Sequence, residues 1–299
     1  MGFHEIAGWG FVPRPALAAL GDDVLAAGLA VRNPISADYE VMRTSLLPGL
    51  ADAARRNLAR GIADVRLFEV GPVIHPVAGD DHHRQFTVAA GLAVGHRAGW
   101  LKPAEGIDFF DVKQTVLELA HALGIGDLVF APPSAATRPA YLHPGVSAEL
   151  RSAAGTADTG RLGLVGELHP AVARRLGIEA QAFYFELELD ALGAAAAAVR
   201  ASSPPRFPAV SRDISFWIDA ATPAAAQQSA MRATGEPLLV DVAVLEDFRD
   251  PRFTPAGKKG MLWTLTYRAP ERTLTDPEVD AAHTRIVAAL GKSFEIQIR

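Results

Sequence analysis

After Pro48 the apolar positions Leu50, Ala53, Ala54 and Leu58 recur at helical spacing, while Arg55, Arg56 and Arg60 fall mostly on the opposite side. Upstream, Asn33-Pro34 marks a turn, because the ring of Pro34 keeps Asn33 out of the helical region, and Pro48 is acceptable in a first helical turn. Gly61 is a stop, and from there Val65, Leu67 and Glu69 alternate with Arg66, Phe68 and Val70 at a period of two. The pattern predicts a helix feeding directly into a strand. Residues 2–14, with Phe3, Trp9 and Phe11, read as a helical turn passing into a strand. Between Val73 and Gly95 the order is strand, polar loop, strand. Asp108 or Asp111 caps a helix whose Val112, Val116, Leu119, Ala120 and Leu123 form one apolar face, with Gly124 as its stop. Strands follow near 146–150 and 162–168, Pro170 opens another helix, 183–189 alternates as a strand, and the alanine-rich 193–199 is helical.

Ser202-Ser203-Pro204-Pro205 is the clearest linker in the chain. Beyond it the pattern gives a strand at 211–219, a helix at 222–234, strands at 238–248 and 259–269, a helix at 275–291 and a last strand at 294–299, with Gly235 and Gly291 as helix stops. The order β-α-β-β-α-β is that of a ferredoxin-like fold, two helices on one face of a four-stranded sheet, leaving the other face free. Period two places Ile214, Phe216 and Ile218 toward the helices and Asp213, Ser215 and Trp217 on the free side. The expected class is α+β in two domains, 1–203 and 204–299.

Composition narrows the picture. The 299 residues are 49% hydrophobic, ample for two cores, and carry no cysteine, so neither disulfides nor thiolate metal sites are available. The net charge of -5 argues against indiscriminate nucleic-acid binding. Residues 204–299 hold twelve basic and twelve acidic side chains, so the deficit lies upstream and any RNA contact must be local. No apolar run reaches the roughly 18 residues of a membrane span, and the first residues lack signal-peptide order, which predicts a soluble, cytoplasmic protein without membrane contact.

Candidate chemistry in the first domain is sparse. His75, Asp80, Asp81, His82 and His83 suggest metal ligands by type, but adjacent His82 and His83 point to opposite sides of an extended chain and a polar loop accounts for them, so no metal is assigned. Asp111 and Lys113 read as an end-cap and a solvated lysine rather than a catalytic pair. His143 and His169, each before a proline, read as turn residues whose ring nitrogens bond to backbone.

RTSLLPGL at 43–50, a helix carrying Asn57, and VRLFEVGPV at 65–73 together resemble the catalytic-like core of the bacterial phenylalanyl-tRNA synthetase beta subunit. So do the opening GFHEI, Phe109-Phe110-Asp111-Val112-Lys113, His143-Pro144-Gly145 and Gly166-Glu167-Leu168-His169-Pro170. Phe207-Pro208-Ala209-Val210-Ser211-Arg212-Asp213 and the stretch Arg268 to Asp276 look like the ferredoxin-fold anticodon-binding domain of the same subunit. The resemblance implies a class II synthetase-like antiparallel sheet with flanking helices, then the ferredoxin-like domain. Family members begin earlier, with tRNA-binding, editing and metal-holding modules, so this sequence is expected to be a C-terminal portion or a truncated chain.

A working class II site uses a strand arginine on the ATP α-phosphate, where a planar cation neutralises developing charge, and a second arginine after a glycine-rich strand for the γ-phosphate. Here the first strand reads VGPVIHP, with His75 near the expected position, and FYFELELDALG offers neither glycines nor arginine. Arg43 and Glu69 remain as motif residues and read as a buried structural pair or interface residues. The resemblance therefore implies no catalytic residue and no cofactor held by this portion. ATP and magnesium belong to the full ligase, an alpha2-beta2 heterotetramer in which the alpha subunit is catalytic and phenylalanine tRNA is the second partner. An open sheet with aromatics and cations suits unpaired RNA bases. The RNA-binding candidates are Arg212, Trp217, Asp247, Phe248, Arg249, Lys258, Lys259 and Arg268. The family pattern Leu-Phe-Asp-Val-Tyr meets Leu245-Glu246-Asp247-Phe248-Arg249 here, so either Phe248 or Arg249 takes the place of the stacking tyrosine, and Gly260 stands where a serine is usual. Competing readings are a free-standing RNA-binding protein derived from the subunit and a self-sufficient ligase with an altered site, which ATP-pyrophosphate exchange by the chain alone would reveal.

Overall fold

The computed structural model describes residues 2–77, 83–97, 99, 105–126, 128–152, 160–196 and 203–299. The chain divides into two compact units, Met1–Val199 and Arg200–Arg299. The first contains β1 (His4–Glu5), β2 (Phe11–Val12), α1 (Arg14–Ala18), α2 (Asp23–Ala26), β3 (Val41–Met42), α3 (Leu47–Leu58), β4 (Val65–Pro76), β5 (His83–Val94) and α4 (Phe109–Ala122). It continues with β6 (Leu128–Ala131), β7 (Leu142–Ser152), β8 (Arg161–Leu168), α5 (Pro170–Arg175), β9 (Ala182–Glu188) and α6 (Leu189–Ala195). Seven strands form one sheet in the order β1-β4-β5-β9-β8-β7-β6, antiparallel except for the parallel β1–β4 edge.

Both faces of this sheet are covered. Leu92, Ala90 and Tyr184 enter one core with Leu47, Leu50 and Ala54 of α3, while Ala93, Phe183 and Phe185 enter another with Val112 and Val116 of α4. Each buried leucine or phenylalanine removed from water contributes about 1.5–3 kcal/mol. The predicted helix and strand around Gly61, at φ +84°, are present as α3 and β4. Two details differ from the sequence reading. His4–Glu5 is not a helical turn but a strand on β4, because the β4 edge offers its backbone groups there and the Ile6 N–H donates to the Phe68 carbonyl at 2.9 Å. Leu123, at the end of α4, is exposed rather than part of the apolar face. The loop residues Asp80, Asp81 and His82, and residues 197–199 of the predicted alanine-rich helix, lie outside the described residues.

The second unit comprises β10 (Val210–Asp219), α7 (Ala224–Arg232), β11 (Leu239–Phe248), β12 (Lys258–Tyr267), α8 (Asp276–Ser293) and β13 (Gln297–Ile298). Its strands lie in the order β11-β12-β10-β13, all antiparallel, and this is a ferredoxin fold. Ile214, Phe216, Ile218, Trp263 and Leu265 pack under Met231 of α7 and Val279, Ile286 and Leu290 of α8. Trp263 is completely enclosed and its indole N–H donates to Gln227 Oε1 at 3.1 Å, which satisfies both buried polar groups. A capping box between Thr275 and Glu278 starts α8. Gly235 stops α7 at φ +64°, whereas Gly291 lies inside α8, since a glycine ends a helix when it adopts positive φ and Gly291 does not.

Candidate nucleic-acid interface

The face of the second sheet turned away from α7 and α8 carries the side chains between the core positions. Strand pairing sets Trp217 of β10 and Phe248 of β11 on either side of Gly260 of β12, in one row with Gln297 of β13. The two rings lie 6.4 Å apart between centroids, tilted by 53°. Gly260 makes room for them: a Cβ there would lie 2.9 Å from Cζ3 of Trp217 and 3.3 Å from Cβ of Phe248. The Arg299 guanidinium lies over both, 4.7 Å from the Trp217 ring centroid and 5.5 Å from that of Phe248. Two π-faces and a planar cation around a side-chain-free strand position form a stacking platform for flat ligands.

The predicted residues separate on this frame. Trp217 and Phe248 come together. Phe248, rather than Arg249, occupies the ring position, because Arg249 lies past the last paired residue of β11 and its Nε donates to Asp247 Oδ1 at 2.6 Å. Asp247 also accepts from Lys259 Nζ at 3.1 Å, and the Arg249 and Lys259 hydrogen bonds hold its carboxyl below the usual aspartate range. Lys258 is nearby, 3.7 Å from Glu295. Three candidates are on the wrong side: Arg212 shares the parity of Ile214, Lys259 that of Met261, and Asp247 pairs directly with Met261, so all three turn toward the helix side of the sheet. Arg212 donates to Asp276 at 2.7 Å and Asp280 at 3.0 Å, and Lys259 is buried beside Asp247. Arg268 follows β12 at the far end from Gly260, with its backbone N–H on the Leu238 carbonyl. Sequence reasoning missed Arg299, because the two paired residues of β13 are too short to show a period.

The first unit turns its unusual polar groups inward. Arg43 and Glu69 form a buried ion pair at 2.6 Å, with the Gly8 N–H also donating to Glu69 Oε1 and Arg43 Nε donating to the Pro72 carbonyl. His75 Nε2 lies 2.7 Å from the Thr44 carbonyl, and its ring packs edge-on against Phe86. On β9, Glu186 Oε2 accepts from the Tyr184 hydroxyl at 2.6 Å and from Ser45 Oγ at 3.3 Å. Burial pushes the Glu186 carboxyl up, an effect partly offset by the Tyr184 bond. Strands β4 and β9 thus present a histidine tied to backbone and a tyrosine–carboxylate pair.

Asp108 caps α4 and shares a capping box with Asp111. Asp111 is also bonded to Arg97 Nε at 2.8 Å, which holds its carboxyl down despite burial. Lys113 lies over the Phe130 ring, 4.8 Å from its centroid, and partial burial lowers its ammonium pKa. His143 and His169 each accept a backbone N–H two residues ahead through a ring nitrogen, as expected, although His143 lies within β7 and His169 is the N-cap of α5 rather than both being turn residues. A cleft of about 800 Å³ beside α3 is lined by Trp9, Phe11, Arg43, Asp52, Arg55 and Arg56, among others. Among the described residues no group of three or more histidine and carboxylate side chains could hold a metal ion, and no helix is long and apolar enough to cross a membrane.

Comparison with known proteins places both units. Residues 1–189 match the family model of the phenylalanyl tRNA synthetase beta chain CLM domain, and residues 205–299 that of the ferredoxin-fold anticodon binding domain. The chain is 41% identical over 305 residues to the phenylalanine–tRNA ligase beta subunit of Anaeromyxobacter dehalogenans, covering 100% of this chain and 37% of that protein. To the beta subunits of Rhodospirillum rubrum and Moorella thermoacetica it is 36% and 35% identical, covering 97% and 100% of this chain and 36% of each relative. The chain therefore spans a little over a third of the length of these relatives. With a CLM-domain match over the first unit and an anticodon-domain match over the second, the chain belongs to the phenylalanyl tRNA synthetase beta chain family.

Proposed function

We propose that this chain is a non-catalytic portion of a phenylalanine–tRNA ligase beta subunit, working in the cytoplasm. Residues 1–203 dock the catalytic alpha subunit within an alpha2-beta2 assembly, and residues 204–299 bind the anticodon of phenylalanine tRNA. The ligase as a whole joins phenylalanine to its tRNA at the expense of ATP with magnesium, and this portion holds neither. The observation that carries the RNA role is the half-buried pair Trp217 and Phe248 on the helix-free face around Gly260, since unpaired bases of any sequence stack on such rings. Support for the non-catalytic role comes from β4 and β9, where His75 and the Tyr184–Glu186 pair stand in place of arginines. Trp9 and Phe11, exposed at the cleft beside α3, are apolar surface of the kind a subunit covers.

Light scattering of the chain mixed with the matching alpha subunit, each also run alone, tests the reading. A mixed species with an interface above about 2,000 Å² is expected for obligate association. ATP-pyrophosphate exchange should appear only when the alpha subunit is present. Two separate peaks would refute docking by this portion and bring the free-standing RNA-binding reading forward, and exchange by the chain alone would refute the non-catalytic assignment.

A further inference from the structure

Arg299 differs from three other arginines of the second unit. Arg249 and Arg252 are each bonded to a carboxylate, at 2.6 Å and 2.5 Å, and Arg212 to two. The backbone N–H of Arg299 donates to the Ser215 carbonyl at 2.8 Å, which ties the end of β13 to β10, but among the described residues its guanidinium has the two ring contacts and no ion pair. A guanidinium carries five N–H donors, and aromatic faces satisfy none of them with an acceptor oxygen. Its planar group covers the ring surface that a flat ligand would need.

We propose that Arg299 is a displaceable cover of the stacking platform: an arriving single-strand base takes its place over Trp217 and Phe248, and the freed guanidinium pairs with a phosphate of the same strand. The inference rests on the anticodon reading and deepens it by assigning the cation that couples stacking to backbone contact. Cation–π attraction at an exposed site is weak, whereas a guanidinium on a phosphate makes two charge-assisted hydrogen bonds, so the exchange runs in favour of the bound state. The β13 backbone bond to Ser215 fixes the stem of Arg299 while its long side chain swings.

The test titrates the whole chain with a fluorescently labelled anticodon stem-loop of phenylalanine tRNA over a range of salt concentrations, for wild type and the Arg299→Ala, Arg299→Lys and Trp217→Ala variants. Arg299→Ala is expected to lower the magnitude of the log–log salt slope by about 0.7, the contribution of one single-strand phosphate contact. With no ring contact to give up, its affinity should meet or exceed that of wild type at the highest salt. Arg299→Lys keeps the charge and should keep the slope. Trp217→Ala should weaken binding about tenfold to a hundredfold with the slope unchanged. If wild type binds, Trp217→Ala weakens binding, and Arg299→Ala shows the wild-type slope, the Arg299 assignment is overturned and the anticodon reading stands. No binding by wild type, or none lost in Trp217→Ala, overturns the anticodon reading and this inference with it.

Discussion

The two sheets of this chain treat polar side chains in opposite ways. In the first unit, helices cover both faces and two carboxylates on the strands have internal partners, Glu69 with Arg43 and Glu186 with Tyr184 and Ser45. In the second, helices cover one face, and the other keeps two half-buried aromatic rings under a guanidinium that has no ion pair among the described residues. A charge buried with its partner is fixed in place and serves the fold. Side chains left on an open sheet cost little stability and remain available to a ligand. Under the proposed function, the difference separates a scaffold from a reading surface within one chain.

Breaking the buried pair should give the largest effect. Glu69→Ala leaves Arg43 charged in a closed site, and we expect a loss of about 3–5 kcal/mol in the unfolding free energy of the first unit, measured by chemical denaturation. Replacing both residues by methionine should recover much of that loss. If Glu69→Ala behaves like a surface substitution, the scaffold half of the comparison is wrong. Trp217→Ala should do the reverse, costing about 1–3 kcal/mol in RNA binding by titration with little change in thermal stability. Gly260→Ala sharpens the same half: its Cβ would lie 2.9 Å from the Trp217 ring, so we expect RNA affinity to fall while the unfolding free energy changes by no more than about 1 kcal/mol, the low end for an added methyl. Unaltered affinity would mean that the rings need not keep their present positions.

The smallest expected effect is a pH dependence. Burial, partly offset by the Tyr184 hydrogen bond, raises the Glu186 carboxyl above its ordinary 4.5, so the folded chain holds that proton more tightly than the unfolded chain does. The resulting stabilisation is fully present below the ordinary value and is lost as pH rises through the raised folded value. Glu186→Gln, which can still accept from Tyr184, should flatten this part of the stability–pH curve in denaturant titrations. An identical curve in the variant would show that Glu186 is not the group responsible.

How much of this was legible in the sequence follows from the two kinds of sheet. Strands β10 and β12 have one wet face, so their period of two was readable and placed Ile214, Phe216 and Trp217 correctly. The same parity excludes Arg212, Asp247 and Lys259 from the open face. Choosing cations by charge alone, without register, is what brought Arg212 and Lys259 in. In the first unit β9 is covered on both sides and reads as a nearly continuous apolar run, which hides that Phe183 and Phe185 face one core and Tyr184 the other. Arg43 and Glu69 read from the sequence as a buried structural pair or interface residues, and the contact between these residues, 26 positions apart, makes them a buried pair. Arg299 became visible only when β13 was paired with β10, since its role depends on Trp217, far away in sequence.

The most direct test of the division between scaffold and reading surface is photo-cross-linking of the phenylalanine tRNA anticodon stem-loop to the whole chain, followed by peptide mapping. The account predicts adducts on peptides that carry Trp217 and Phe248, lost in the Trp217→Ala, Phe248→Ala double variant. Adducts confined to residues 2–196, with none in the second unit, would contradict it.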